Sequence, residues 1–233
     1  MNVIVKNIPN TITCLNLLSG CFACIFAFQG EYDWVALCIG LSALFDFLDG
    51  MTARLLHAYS PLGKELDSLA DLISFGLAPG LMVMHLMAYN STFHGMASEY
   101  QSWWALSALL IPVFSALRLA KFNIDTRQTT SFIGLPVPAN ALFWIGICQA
   151  GLRMESPVCG YAIVALVIIF SLLLVSEIPM FSLKFKNLKW KENYLRYLII
   201  AVAAICLISF GLAGLAATIG LYIVLSLLTA RKR

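Results

Sequence analysis

The stretch LFDFLDGMTARLLHAYSPLGKELDSLADLISFGLAPGL, residues 44–81, sets Asp46, Asp49, Asp67 and Asp71 inside two apolar runs. A carboxylate at membrane depth costs about 2.5–3.5 kcal/mol on insertion scales, so four of them need compensation within the fold. Helical spacing pairs them: Asp46 and Asp49 stand at i, i+3, and Asp67 and Asp71 at i, i+4, so each pair shares a helix face. The connection over about 55–65 is short, which makes the two helices antiparallel neighbours and brings the four carboxylates together at one depth. Hard oxygen donors without His or Cys favour Mg²⁺, Mn²⁺ or Ca²⁺ over zinc. Four carboxylates suit two such ions, and paired ions serve phosphoryl displacement. Ion pairing with Arg54 and Lys64 is the plainer alternative, but two cations cannot neutralise four acids. Gly50, Ala53 and Gly63 leave backbone open to a bulky ligand, and Arg54 offers a fork for a phosphate.

The rest of the chain places this segment in a membrane. Of 233 residues, 61% are hydrophobic and only 12% charged, against about 25% charged in soluble domains. Segments near 12–29, 33–54, 66–89, 102–121, 136–152, 158–180, 195–210 and 212–230 are long enough, or nearly so, to cross a bilayer. The expectation is an all-α, polytopic membrane helix bundle of about eight transmembrane helices, one catalytic domain over 1–233. The last two segments read either as a hairpin broken at 211–214 or as one span plus a surface helix. With eight spans, every lysine and arginine of the fifteen except Arg153 falls on one side, so the positive-inside rule puts both termini in the cytoplasm. The acidic cluster then lies just inside the cytoplasmic boundary. No cleavable leader is expected, since the first apolar run starts late and continues into further spans. The net charge of +3 is too small to argue for a nucleic-acid partner. The seven cysteines, Cys21-x-x-Cys24 included, read as small apolar residues of helix faces. The basic run KFKNLKWK at 184–191 suits anionic headgroups, and Glu177 before Pro179 has no assigned role.

The pattern Asp46-x-x-Asp49-Gly50-x-x-Ala53-Arg54, eight residues, then Gly63-x-x-x-Asp67-x-x-x-Asp71 resembles the full signature of the CDP-alcohol phosphatidyltransferase family. That resemblance implies displacement of CMP from a CDP-alcohol by an incoming hydroxyl, assisted by divalent metal. It implies that Asp46, Asp49, Asp67 and Asp71 are metal ligands and that Asp71 is also the general base. Gly50, Ala53 and Gly63, with Arg54, would border the CDP site, and the protein would be a homodimer. Four further stretches are similar to bacterial phosphatidylserine synthases: Pro9-Asn10-x-Ile12-Thr13-x-x-Asn16, Ser74-Phe75-Gly76-x-Ala78-Pro79, Arg118-Leu119-Ala120-Lys121-Phe122-Asn123 and Phe132-x-Gly134-Leu135-Pro136-x-Pro138-Ala139. They imply CDP-diacylglycerol and L-serine as substrates, drawn from and returned to membrane lipid, in the inner membrane of a prokaryote. The expected cofactors are two divalent cations, Mg²⁺ or Mn²⁺, in a site facing the cytoplasm.

A zwitterionic acceptor needs a cation for its carboxylate and an acceptor for its ammonium. Arg118 and Lys121, at the cytoplasmic end of the fourth segment, are the candidate cations, and Asn123 and Asn140 are candidates to complete the site. Glycerol 3-phosphate, inositol phosphate and an ether-lipid donor stay open as variants within the family. A divalent cation transporter is the rival from another class. It would need polar groups continuing through the outer half of the membrane, where 36–44 and 77–86 carry no acid.

Overall fold

The computed structural model describes residues 3–89, 103–125, 132–150, 157–181 and 190–230. The described residues are almost wholly helical: α1 (Val3–Gln29), α2 (Tyr32–Leu55), α3 (Pro61–Asp71), a π-helical turn (Leu72–Leu77), α4 (Ala78–Tyr89), α5 (Leu110–Ile124), α6 (Val137–Gln149), α7 (Pro157–Val175), α8 (Trp190–Phe210) and α9 (Gly214–Ala230). Two short strands, β1 (Phe132–Ile133) and β2 (Pro179–Met180), pair antiparallel.

Length and composition make five stretches able to cross a membrane: Asn7–Gln29, Tyr32–Leu55, Pro61–Ala88, Trp103–Ile124 and Asn193–Thr229. Val137–Gln149 and Gly160–Val175 are shorter apolar helices. Large apolar side chains point outward along them, Phe47 at 60% and Ile208 at 86% exposure among them. Such a surface is stable in lipid and not in water. The protein is an integral membrane helix bundle.

Asn193–Thr229 is not one rod. At Gly211, φ is +58°, and a Cβ on Gly214 would run into the Cys206 carbonyl. Residues eight apart in a straight helix lie about 12 Å apart, so α9 folds back on α8. The break falls at Gly211–Ala213, where the hairpin reading of these segments puts it. The returning α9 packs on α6, where a Cβ on Gly146 would strike Ala216.

Two expectations about the signature region change. The third segment begins at Pro61, not 66. Ser60 caps the helix by accepting from the Gly63 amide at 2.9 Å, and Pro61 suits the first helical position because its missing N–H has no partner to lose. Gly63 is thus inside the first turn. Directly after Asp71 the helix widens into π geometry, with the Ala78 amide reaching back to the Ile73 carbonyl. The wide turn ends two residues before Pro79, which has no N–H and whose ring would crowd the carbonyl four residues back in a regular helix. In this turn Ser74, Phe75 and Gly76 are fully buried. A Cβ on Gly20 would overlap Ser74, and one on Gly76 would sit 3.0 Å from Ser115 Cβ, so α1 and α5 both close on the π turn.

Cys14, Cys21, Cys24, Cys38, Cys148 and Cys206 carry free thiols. His85 meets the Tyr32 hydroxyl at 3.0 Å. The basic run at 184–189, Arg127, Arg153 and His94 lie outside the described residues.

Candidate active site

The last turns of α2 and the first turns of α3 face each other at one end of the bundle. Between them the chain reverses through His57 at φ 49°, with the Ala58 amide donating to the Ala53 carbonyl at 3.0 Å. One carboxylate oxygen from each of Asp46, Asp49 and Asp67 then lies within 4.8 Å of the others. Asp49 is only 7% exposed. Asp71 is not part of this triangle but stays within electrostatic reach of all three of its members. Four residues on from Asp67, it lies about 6 Å farther along the helix axis.

The contacts that hold these acids come from α1. Thr13 Oγ1 donates to Asp49 Oδ2 at 2.6 Å. Asn16 Nδ2 donates to Asp71 Oδ1 at 3.2 Å, while Asn16 Oδ1 accepts from Ser74 Oγ at 2.8 Å. The Asn16 carbonyl also accepts from Ser42 Oγ at 3.2 Å. Asn16 is completely buried, so its amide is fixed at both ends: a hydroxyl hydrogen fills its oxygen, and its nitrogen is committed to the carboxylate. The sequence reading does not single out Thr13, Asn16 or Ser74 as site residues. The legible signal is a Thr and an Asn at i, i+3 inside an apolar helix, the same spacing as Asp46 and Asp49.

A cleft of about 150 Å³ opens beside Asp49 and Asp67, lined also by Asn10, Gly50, Ala53 and Gly63. At Gly50 a Cβ would meet nothing closer than Arg54 Nη2 at 3.8 Å. A Cβ on Gly63, in contrast, would press on Asn10 Oδ1 at 2.8 Å, where α3 closes on α1. Arg54 is exposed at this rim, with its Nε donating to the Gly50 carbonyl at 2.9 Å.

The other four candidates lie toward α5 and α6. Arg118 is 7% exposed, stacks its guanidinium 4.9 Å from the centre of the Phe122 ring, and stands within electrostatic reach of Asp71. Lys121 Nζ donates to the Val175 carbonyl at 3.3 Å. Arg118 and Lys121 line a second cavity, of about 310 Å³. Asn123 ties α5 to α3: its Nδ2 donates to Ser68 Oγ at 2.9 Å, and its carbonyl accepts from Lys64 Nζ at 2.9 Å. Asn140 is buried, with Oδ1 accepting from Trp144 Nε1 at 3.2 Å and Nδ2 lacking a partner.

Lys64 is engaged by the Asn123 carbonyl and Arg54 by the Gly50 carbonyl, so the ion-pair alternative is not the arrangement seen. The hydrogen bonds into the cluster come from Thr13 and Asn16, both neutral. A hydrogen bond to a charged group contributes about 1.5–3 kcal/mol, while the desolvation penalty is several kcal/mol for each buried ion. Two such bonds cannot offset four carboxylates. One further atom points the same way: Asp67 Oδ1 is buried without any hydrogen-bond partner. An all-oxygen donor set with an orphaned anionic oxygen fits a hard divalent cation.

Among known proteins, the CDP-diacylglycerol–serine O-phosphatidyltransferase of Helicobacter pylori is 32% identical over 223 residues, covering 93% of this chain and 87% of that protein. The Methanocaldococcus jannaschii protein of the same name is 35% identical over 173 residues, 73% of this chain and 72% of its own. That of Bacillus subtilis is 37% identical over 131 residues, 56% of this chain and 69% of its own. A sequence model of the CDP-alcohol phosphatidyltransferase family matches residues 6–229, a span that takes in every element of the site above, and the chain belongs to that family.

Proposed function

We propose that this protein transfers a phosphatidyl group from CDP-diacylglycerol to the hydroxyl of L-serine, making phosphatidylserine and releasing CMP. The observation that carries the reading is the carboxylate triangle of Asp46, Asp49 and Asp67 beside Asp71. Its relatives named for serine transfer supply the acceptor.

Asp46, Asp49, Asp67 and Asp71 would hold two divalent ions, Mg²⁺ or Mn²⁺. Bound there, such ions supply positive charge to the pyrophosphate and to the departing CMP. The cleft at Gly50, Ala53 and Gly63 takes the cytidine end of the donor, with Arg54 at its rim. Asn16, itself held by Ser74, keeps Asp71 in one orientation. Asp71 takes the proton of the serine hydroxyl as that oxygen attacks the phosphorus bearing diacylglycerol. The bond from that phosphorus to the CMP oxygen breaks, and CMP leaves. Arg118 and Lys121 take the serine carboxylate, with Asn140 as a further donor on that side and Asn123 bracing α5 against α3. No side chain near the cluster serves as a covalent nucleophile in this scheme, and attack is direct.

The whole chain acts as one catalytic domain of eight membrane crossings. Both termini and the site face the cytoplasm of a prokaryotic inner membrane, and the protein works as a homodimer. The distribution of lysine and arginine supports this orientation. Purified protein given CDP-diacylglycerol should release CMP with L-serine and not with glycerol 3-phosphate or inositol phosphate. Release with a phosphorylated acceptor and none with serine would overturn the acceptor assignment.

A further inference from the structure

Asp46, Asp49, Asp67 and Asp71 present eight carboxylate oxygens, and α1 occupies two of them. The Thr13 hydroxyl stands 2.6 Å from Asp49 Oδ2 and 3.1 Å from the Pro9 carbonyl. It has a single hydrogen, and the charged acceptor at the shorter distance receives it. Asn16 Nδ2 occupies Asp71 Oδ1 at 3.2 Å. Among the described residues, no α1 side chain donates to Asp46 or Asp67, and Asp67 Oδ1 is buried without a partner.

The two donors are held where they are. Thr13 and Asn16 are both buried. Asn16 Oδ1 accepts from Ser74 Oγ of the π turn at 2.8 Å, and its carbonyl accepts from Ser42 Oγ of α2 at 3.2 Å. One residue short of Gly20, which lets α1 touch the π turn, Ser19 Oγ donates to the Cys38 carbonyl of α2 at 2.8 Å. The face of α1 that meets the acids is therefore fixed both to α2 and to the π turn.

Such a frame discriminates between hard cations by size. Mg²⁺ is octahedral at about 2.0–2.1 Å and keeps several waters, whereas Ca²⁺ takes about six to eight oxygens at about 2.3–2.6 Å and often uses both oxygens of a carboxylate. Selection between them follows cavity size, ligand number and flexibility. A carboxylate with one oxygen held by a protein donor offers the other one to an ion. We infer that Thr13 and Asn16 are ion-selecting residues: by holding one oxygen each of Asp49 and Asp71, α1 keeps these two carboxylates monodentate and favours an ion of the size of Mg²⁺ over Ca²⁺. Asp46 and Asp67 keep both oxygens for the ions. This rests on the metal reading of the cluster given under Proposed function.

The test is calorimetric titration of purified, EDTA-stripped protein with Mg²⁺ and with Ca²⁺, without substrate. Wild type is compared with Thr13→Val, which keeps the shape and removes the hydrogen, with Thr13→Ser, which restores it, and with Asn16→Ala and Asp67→Asn. Melting of each stripped variant shows whether it is folded. Wild type should bind Mg²⁺ more tightly than Ca²⁺. Thr13→Val should shift the ratio of the two dissociation constants toward Ca²⁺ by about 10-fold, the scale on which partners of metal ligands act. Asn16→Ala should shift it in the same direction, and Thr13→Ser should hold the wild-type ratio. Equal weakening of both ions in Thr13→Val would show that Thr13 only orients its aspartate and would overturn the inference. So would wild-type protein that binds Ca²⁺ at least as tightly as Mg²⁺, a result that needs no variant to fold. Failure of either ion to bind wild type, or binding undiminished in Asp67→Asn, would instead overturn the metal reading itself, an outcome distinct from the other two.

Discussion

Asp71 and its amide partner carry the sharpest residue-scale consequences. Asp71→Asn keeps the shape and the contact with Asn16 possible but removes the proton acceptor. It should lower kcat by at least about 100-fold, as loss of a general base does, while CDP-diacylglycerol still binds. Unchanged turnover would refute the base assignment. Asn16→Ala removes the amide that donates to Asp71. Partners of this kind are worth roughly 10- to 100-fold in activity or metal affinity when removed, so a loss in that range is expected, measured at saturating metal and at limiting metal. The aspartates themselves are legible in the sequence because charge inside an apolar run is costly and the i, i+3 and i, i+4 spacings assign a face. Thr13 and Asn16 are harder to read. Neutral polar residues are ordinary in membrane helices, and only the approach of α1 to both Asp49 and Asp71 shows what these two are for.

At the level of elements, the π turn after Asp71 decides how α1, α3 and α5 meet. Gly20 has no space for a side chain, since a Cβ would overlap Ser74. Gly20→Val should therefore push α1 from the π turn, lower the thermal stability of the detergent-solubilised protein by about 1–3 kcal/mol, and reduce turnover through the displaced Asn16. A variant with wild-type stability and activity would show that this close approach is not needed. The sequence shows this region as a continuous apolar helix because Ser74, Phe75 and Gly76 are compatible with α geometry, and Pro79 alone does not reveal on which side the helix adjusts. The start of α3 is masked in the sequence for a different reason. Lys64 and Glu65 dilute the hydropathy of its first turns, although Ser60 before Pro61 is a helix-start signal in its own right. The β1–β2 tie is two residues long on each strand, too short to leave any periodicity, yet it fixes the turn that bears Glu177.

For the whole molecule, composition sufficed to identify a membrane helix bundle, and the arrangement explains how such a bundle tolerates four acids. They are gathered at one end of α2 and α3, beside a cleft, with α1 contributing neutral donors and with Arg54 and Lys64 engaged by backbone carbonyls. The segment count was less accessible, since α6 is only 13 residues long and the 37-residue stretch near the C-terminus reverses on itself. The central claim is that the carboxylate cluster works only with a divalent cation in place. Its most direct test is transfer by purified protein, stripped with EDTA and then supplied with Mg²⁺ or Mn²⁺, measured as CMP released against phosphatidylserine formed. Activity should fall to background on stripping, return with either ion in the wild type, and fail to return in Asp67→Asn at the same ion concentration. Full turnover by the stripped protein would contradict the account.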